Sequence, residues 1–122
     1  MTLLTNRQAA EQGNAVAQFN LGRMYALGDD VPKDNVEAVK WYRKAAEQGN
    51  ADAQTCLGVQ YYRGFGVPRD LVQAHAWFNV AAAVGIETAE RGRSTAEGSM
   101  TPEQIAEAMK LARELFAKLP KA

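Results

Sequence analysis

The sequence lacks most of the features that direct a protein to nucleic acid, to a membrane or to an oxidising compartment. Its one cysteine, Cys56, cannot form a disulfide within the chain. Basic and acidic residues number 14 each, and no dense run of Lys and Arg creates the positive field that a phosphate backbone needs. No apolar run reaches the roughly 18 residues of a membrane helix. We therefore expect neither a nucleic-acid partner nor insertion into a membrane.

Catalytic and metal-binding motifs are absent as well. The sequence has no Ser-x-x-Lys, Gly-x-Ser-x-Gly or His-Glu-x-x-His motif and no phosphate-binding loop. Its one histidine, His75, is not accompanied by Cys, His, Asp or Glu at the spacing of metal ligands, so we expect it to lie on the surface or at the edge of a helix. The sequence thus predicts a protein that is not an enzyme and that carries no metal or cofactor.

What the sequence does contain is a repeat. The hexapeptide Ala-Glu-Gln-Gly-Asn-Ala at 10–15 recurs unchanged at 46–51. When residues 10–45 are aligned with 46–81, 19 of the 36 positions are identical. A period of this length is typical of a stacked solenoid, because one unit cannot bury its apolar face alone and its neighbours complete the core. We interpret the chain as a single domain, 1–122, made of a partial repeat 1–9, full repeats 10–45 and 46–81, and a degenerate repeat with a capping helix at 82–122.

Each repeat is predicted to form two helices joined by a turn. Asn14 is a good N-cap for the first helix, Pro32 cannot continue a helix from within, and Asp34 can cap the second helix. Gly22 and Gly58 predict a close approach of two helices, since Gly inside a helix costs up to about 1 kcal/mol relative to Ala and needs a packing reason. The side chains expected to face inward from the second helix are Val36, Ala38, Trp41, Tyr42 and Ala45.

The full prediction is an all-α protein of seven helices whose last two depart from the repeat. The segment Thr101-Pro102-Glu103-Gln104 is a strong helix start, and the helix after it has the polar outer face of a solenoid cap. Over 86–97, Gly92, Arg93 and Ser94 leave few apolar contacts, so we expect this helix to be the least stable internal one. The predicted helices lie near 3–12, 15–27, 35–48, 51–63, 71–84, 86–97 and 102–118.

The chain opens inside a repeat, because residues 2–12 align with the last part of a second-type helix. We expect the edge near Leu3, Leu4, Ala9 and Ala10 to lack a polar cap and to offer a site for self-association. The compartment is not determined by the sequence. As written the chain fits the cytoplasm, and the periplasm would apply if an N-terminal signal had been removed.

Three patterns within residues 10–85 resemble the Sel-one-like repeat (SLR), a 36-residue relative of the tetratricopeptide repeat. They are A-x3-LG-x2-Y-x2-G, VP-x-D-x-V-x-A-x2-W and A-A-x2-G, and the segment at 100–106 resembles the closing segment of many bacterial members. The resemblance implies a right-handed superhelix of antiparallel helix pairs, with a concave groove lined by the first helices and a convex back formed by the second helices. It also implies an adaptor whose usual guests are peptide or protein segments.

Helical spacing places a set of side chains beside the buried Leu/Tyr stripe, on the expected groove. Phe19 and Tyr62 offer apolar contact, Asn20 offers a donor and an acceptor, and three arginines along one side suggest a guest of acidic character. The alternative is that each arginine pairs with a local carboxylate such as Asp52 or Glu90. The predicted partner-binding residues are Phe19, Asn20, Arg23, Thr55, Cys56, Val59, Tyr62, Arg63 and Arg91.

Two other functions remain open beside the adaptor. The chain is alternatively a fragment of a longer solenoid or a self-associating structural module. A remoter alternative is a hydrolase, since some cysteine-rich relatives have been discussed as binding or hydrolysing β-lactams. With Cys56 alone and no serine–lysine pair, this sequence offers no such chemistry. We expect the thiol to be inert, because only Arg63 lies on a neighbouring turn to activate it.

Overall fold

The computed structural model describes residues 2–121, and these residues form seven α-helices and no strand. This confirms the predicted all-α solenoid, and every predicted helix is present with its ends within two residues of the prediction. None of these helices is long and apolar enough to cross a bilayer. The helices are α1 (Leu3–Glu11), α2 (Ala15–Leu27), α3 (Asn35–Glu47), α4 (Ala51–Arg63), α5 (Leu71–Ala82), α6 (Glu87–Glu97) and α7 (Pro102–Lys118).

The helix starts follow the sequence signals closely, with one exception. Thr101 and Gln104 form a complete capping box at α7, in which each side chain bonds the other residue's backbone N–H. Ile86, at the start of α6, provides no side-chain cap. At the other five starts a side-chain oxygen accepts a hydrogen bond from the backbone N–H three residues on; these caps are Thr2, Asn14, Asp34, Asn50 and Asp70.

Gly22 and Gly58, predicted to allow a close approach of two helices, each make room for an aromatic ring of the paired helix. A Cβ atom on Gly22 would lie 2.7 Å from the ring of Tyr42, and one on Gly58 would lie 2.7 Å from the ring of Phe78. Gly92 of α6 approaches the same edge of the Phe78 ring, where a Cβ would lie at 2.8 Å. These distances are too short for any side chain, so the Phe78 ring occupies the space between α4 and α6.

The two tryptophans are core residues, as predicted. Trp41 is 4% exposed and packs with Leu21, while Trp77 is 2% exposed. The prediction for Val36 was wrong, because its side chain is 66% exposed. Val36 lies in the first turn of α3, where the loop residue Gly66 packs on the helix backbone and leaves the Val36 side chain pointing to solvent.

The prediction for His75 was also wrong. It is 1% exposed, and its Nε2 lies 2.7 Å from a carboxylate oxygen of Glu97, at the end of α6. The register explains the burial, since His75 occupies the position of Val39, which is 5% exposed in the first repeat. A histidine at a core position needs a hydrogen-bonding partner, and Glu97 provides one from the next helix.

Polar contacts also replace apolar ones elsewhere between α5 and α6. The guanidinium of Arg93 donates a hydrogen bond of 2.8 Å to the side-chain oxygen of Asn79. Arg93 stands where Leu21 and Leu57, both fully buried, hold the first helices of the earlier units. The predicted helix at 86–97 therefore forms, because hydrogen bonds compensate in part for the missing leucine.

Helix α7 packs along α5 and not along α6, its neighbour in sequence. Ala108 and Ala112 are buried at this contact, and Ala112 clusters with Ala76 and Val80 of α5. The third unit therefore departs from the plan of the first two, in which the two helices of a unit pack on each other. As a result the outer side of α6 stays open.

Candidate binding surface

The predicted partner-binding residues all lie on the first helix of a unit, and we call the surface they share the first-helix face. Phe19, Asn20 and Arg23 are on α2, Arg91 is on α6, and the others are on α4. Their surroundings differ, however, because some side chains turn toward the next helix and some toward solvent. The face divides into a junction between α2 and α4 and a junction between α4 and α6.

At the α2–α4 junction, Phe19 belongs to the core as much as to the surface. Its half-buried ring lies 6.0 Å from the ring of Tyr42, tilted by 35°. The guanidinium of Arg23 lies over the outer side of the Phe19 ring, 5.7 Å from its centre. Arg23 itself is exposed, so this junction presents a cation backed by an aromatic ring.

Two polar side chains of the predicted set already have partners within the chain. The side-chain amide of Asn20 donates to the side-chain oxygen of the buried Asn6 at 3.4 Å. The hydroxyl of Thr55 donates to the backbone oxygen of Ala51, one turn earlier in the same helix, at 3.0 Å. Both contacts reduce what these two residues can offer to a guest.

Cys56 is half-buried against Tyr42 and is not an activated thiol. Burial raises the pKa of Cys56, and the hydrogen bond with Tyr42 and the charge of Arg23 oppose this only in part. Burial likewise raises the pKa of the Tyr42 hydroxyl. Since only the thiolate is a good nucleophile, the expectation of an inert Cys56 agrees with these surroundings.

The α4–α6 junction contains a pocket of about 130 Å³ that brings three of the predicted residues together. Tyr62 is held from the loop side, because the guanidinium of Arg69 lies 5.5 Å from its ring centre and donates to its backbone oxygen at 3.0 Å. The pocket is lined by Val59, Tyr62, Arg63, Phe78, Gly92 and Thr95. Phe78 and Gly92 were not among the predicted site residues, and no signal within one helix marks them as neighbours.

The three arginines of the first-helix face differ in their ion pairs. Arg91 pairs with Glu87 at 2.7 Å, so the local-carboxylate alternative holds for this residue, although with a different partner from those anticipated. No ion pair forms at Arg23 or Arg63 within residues 2–121. The guanidinium of Arg63 lies over the ring of Phe65, 5.8 Å from its centre.

A second, more polar pocket of about 280 Å³ lies at the α2 end of the face. It places Arg23 beside the carboxylates of Asp29 and Asp30, neither of which was predicted to belong to the site. Asp30 has a φ of 63°, in the left-handed region that its counterpart Gly66 occupies with a φ of 78°. The charge at this end of the face is therefore mixed, whereas it is positive at the α4–α6 junction.

The described part of the chain contains no group of three His, Cys, Asp or Glu side chains that could hold a metal ion. The imidazole of His75 makes one hydrogen bond, to the carboxylate of Glu97, and its second ring nitrogen has no hydrogen-bond partner among the described residues. What the face provides is shape, aromatic surface and charge, which suit recognition of another molecule.

Sequence and structure comparisons point to one family. The model of the Sel1 repeat matches residues 15–50 and 51–85, which is more than half of the chain. No curated protein matches the chain in sequence.

Three solved structures share the fold. The chain is 41% identical to c5321, a protective antigen of uropathogenic Escherichia coli with an SLR fold, at a TM-score of 0.92 over 95% of this chain and 25% of that one. A Sel1 repeat protein from Oxalobacter formigenes is 45% identical, at a TM-score of 0.70 over 70% and 25% of the two chains. The Helicobacter pylori cysteine rich protein B is 31% identical, at a TM-score of 0.68 over 71% and 65%. The chain thus spans between a quarter and two thirds of these relatives.

Proposed function

Because the chain belongs to the Sel1 repeat family, we propose that it is a non-enzymatic adaptor that binds a peptide or protein segment on its first-helix face. Sel1 repeats generally serve as protein–protein interaction modules. The observation that carries the proposal is the pair of exposed guanidiniums of Arg23 and Arg63, which form no ion pair within residues 2–121 and lie over aromatic rings. Such guanidiniums can bind a carboxylate of the guest without first breaking an ion pair within the chain.

The guest that fits this face has apolar and acidic groups side by side. Tyr62 offers a half-buried aromatic ring, and both Arg63 and Arg69 lie next to it without an ion pair among the described residues. Arginine forms forked, charge-assisted hydrogen bonds with a carboxylate, and ordered aromatic side chains are frequent hot spots of binding. The acidic part of the guest should bind most strongly near Arg63 on α4, because Asp29 and Asp30 lie in the same pocket as Arg23 and weaken its attraction for a carboxylate.

The test is an array of acidic, neutral and basic peptides titrated against the wild-type chain and single variants. Acidic peptides should bind best, and Arg23→Ala, Tyr62→Ala and Arg63→Ala should each weaken binding by about 1 kcal/mol or more, about fivefold in Kd. Thermal melts of Arg23→Ala and Arg63→Ala should stay close to wild type, because both side chains are exposed. Tyr62→Ala should lose some stability, because its ring packs against the core, so its binding is measured at a temperature where its melt shows it fully folded. The matched control is Arg113→Ala, an exposed arginine on α7, which should leave binding unchanged.

Binding that survives all three substitutions would contradict the proposal. If the same binding is lost on Lys40→Ala, or on Arg43→Ala with an unchanged melting temperature, the site lies on the second-helix side. Arg43 needs this check because its guanidinium donates to the hydroxyl of Tyr61.

A second candidate is a structural module that stacks on another solenoid unit through α1. Leu4 is 65% exposed at this edge. The same helix carries a shallow surface pocket that is lined by Thr5, Gln8 and Ala9, among others. Thr5 stands where Trp41 and Trp77 stand in the full repeats, so this edge is more polar than an internal contact between units. The self-association predicted here therefore rests on Leu4.

A further inference from the structure

We propose that the pocket at the α4–α6 junction, here called the Gly92 pocket, takes one leucine-sized side chain of the guest while Arg63 binds a carboxylate on the adjoining residue. The inference rests on the proposed function, since it specifies the chemistry of the segment that the first-helix face binds.

The register of the repeat explains why a pocket lies at this junction. Gly92 occupies the position that Asn20 and Cys56 occupy in the earlier units. The side chain of Asn20 hydrogen-bonds Asn6 of the preceding helix. The side chain of Cys56 likewise hydrogen-bonds Tyr42 of the helix that precedes α4. At α6 this position is instead filled by the edge of the Phe78 ring, which lies where a Cβ on Gly92 would be and lines the pocket between the two first helices.

Helix α6 is close enough to form a wall of the pocket. The edge of the Phe78 ring contacts both Gly58 and Gly92, and a Cβ on either glycine would lie within 2.8 Å of the ring. Phe78 is 2% exposed and therefore fixed, and its ring lines the pocket. The shape is thus set by the packing of α4, α5 and α6 and does not depend on a mobile side chain.

The lining is suited to an aliphatic group. Val59 contributes methyl groups, and Tyr62 and Phe78 contribute aromatic rings. The hydroxyl of Thr95 donates a hydrogen bond of 2.9 Å to the backbone oxygen of Arg91. Thr95 therefore has no hydroxyl hydrogen left to donate to a ligand in the pocket. A volume of about 130 Å³ is slightly below the roughly 150 Å³ of an apolar cavity that holds a benzene ring. One leucine side chain therefore fits, whereas a larger indole would leave part of its ring outside the pocket.

The rim of the pocket adds a charge requirement. Arg63 lines the pocket, is exposed, and forms no ion pair among the described residues. Its place in the last turn of α4 also suits a cation, because the helix dipole is negative there. If Arg63 only interacts with the helix dipole, its removal should lower the stability of the protein and leave ligand affinity unchanged. If Arg63 binds a carboxylate of the guest, its removal should lower the affinity for acidic ligands alone. The two roles are separated by measuring both quantities on the same variant.

The experiment is a titration of the ¹⁵N-labelled full chain with capped dipeptides, followed by amide chemical shifts. The probes are acetyl-Leu-Asp-amide, acetyl-Leu-Lys-amide and acetyl-Trp-Asp-amide. For a ligand of this size we expect a Kd on the order of 1 mM for the first probe, with shifts at Val59, Tyr62 and Gly92. The other two probes should bind at least about fivefold more weakly, which is about 1 kcal/mol.

Three variants complete the design. Thr95→Leu should abolish binding by filling the pocket from its rim, and the fold should be kept because Thr95 is exposed and Leu is a good helix former. Arg63→Ala should weaken acetyl-Leu-Asp-amide to the level of acetyl-Leu-Lys-amide, while Arg113→Ala should change nothing.

Shifts that are absent at the three amides, or that persist in Thr95→Leu, would overturn the assignment of the pocket. Equal binding of the tryptophan probe would overturn its size, and equal binding of the lysine probe would overturn the role of Arg63. The proposed function is tested separately by the peptide array. An acidic peptide whose binding depends on Arg23 but is unaffected by Thr95→Leu would keep the adaptor and reject the pocket.

Discussion

Removing the carboxylate of Glu97 should destabilise the protein more than removing the imidazole that it contacts. The side chain of His75 is 2% exposed and that of Glu97 is 41% exposed, while the second ring nitrogen of His75 has no hydrogen-bond partner within residues 2–121. In Glu97→Ala the buried imidazole loses its hydrogen bond, and an unsatisfied buried polar group costs about 1–3 kcal/mol. In His75→Val the half-exposed carboxylate turns to water, and valine is already tolerated at the equivalent Val39.

The double variant His75→Val/Glu97→Ala tests this asymmetry. Glu97→Ala alone should lower Tm by at least about 3 °C for a chain of this size, and the double variant should regain most of the loss because no unpaired polar group remains. Urea unfolding gives the free energies for the cycle. Glu107→Ala, an exposed glutamate on α7, serves as the control. A loss in Glu97→Ala no larger than in the control, or losses that simply add in the double variant, would refute the reasoning.

Three further predictions concern stability and association. Trp77→Ala should cost about 3–5 kcal/mol, whereas Trp77→Phe should cost much less because the indole N–H has no partner to lose; melts of Trp77→Ala within about 2 °C of wild type would contradict the core assignment. Amide hydrogen exchange should show less protection in α6 than in α4, because Ile86 gives no side-chain cap and only Ala89 and Ala96 are buried; equal protection would mean that the polar bonds to α5 compensate fully. Light scattering at high concentration should show association that Leu4→Glu removes, and a monomer in both cases would reject the α1 contact.

The candidate site was predictable as a set of positions and much less as a set of roles. Helical spacing correctly placed Asn20, Cys56 and Tyr62 on the first helices, because that depends only on distance along one helix. It could not show that Asn20 bonds Asn6 or that Cys56 is covered by Tyr42. Those contacts depend on which side chain of the preceding helix packs against each of these residues.

The third unit shows the same limit more clearly. Arg93 in place of a buried leucine indicated a weak helix, and His75 between two alanines indicated a surface residue. Each prediction missed a hydrogen-bonding partner that is distant in sequence. Arg93 bonds Asn79, 14 residues away, and His75 bonds Glu97, 22 residues away. A polar residue at a core position is costly by itself, and only the neighbouring helix decides whether its hydrogen bonds are satisfied.

From the sequence alone we could derive the 36-residue period, the seven helices, most of their caps and a packing role for Gly22 and Gly58. These features depend on residues within one turn of each other or on a pattern that repeats along the chain, so they can be recognised in one dimension. The tertiary structure alone decided that α7 packs on α5, that His75 is buried, and that Gly92 borders a pocket over Phe78. These features arise where helices from different units meet, and the free energy of each contact depends on both sides of the junction.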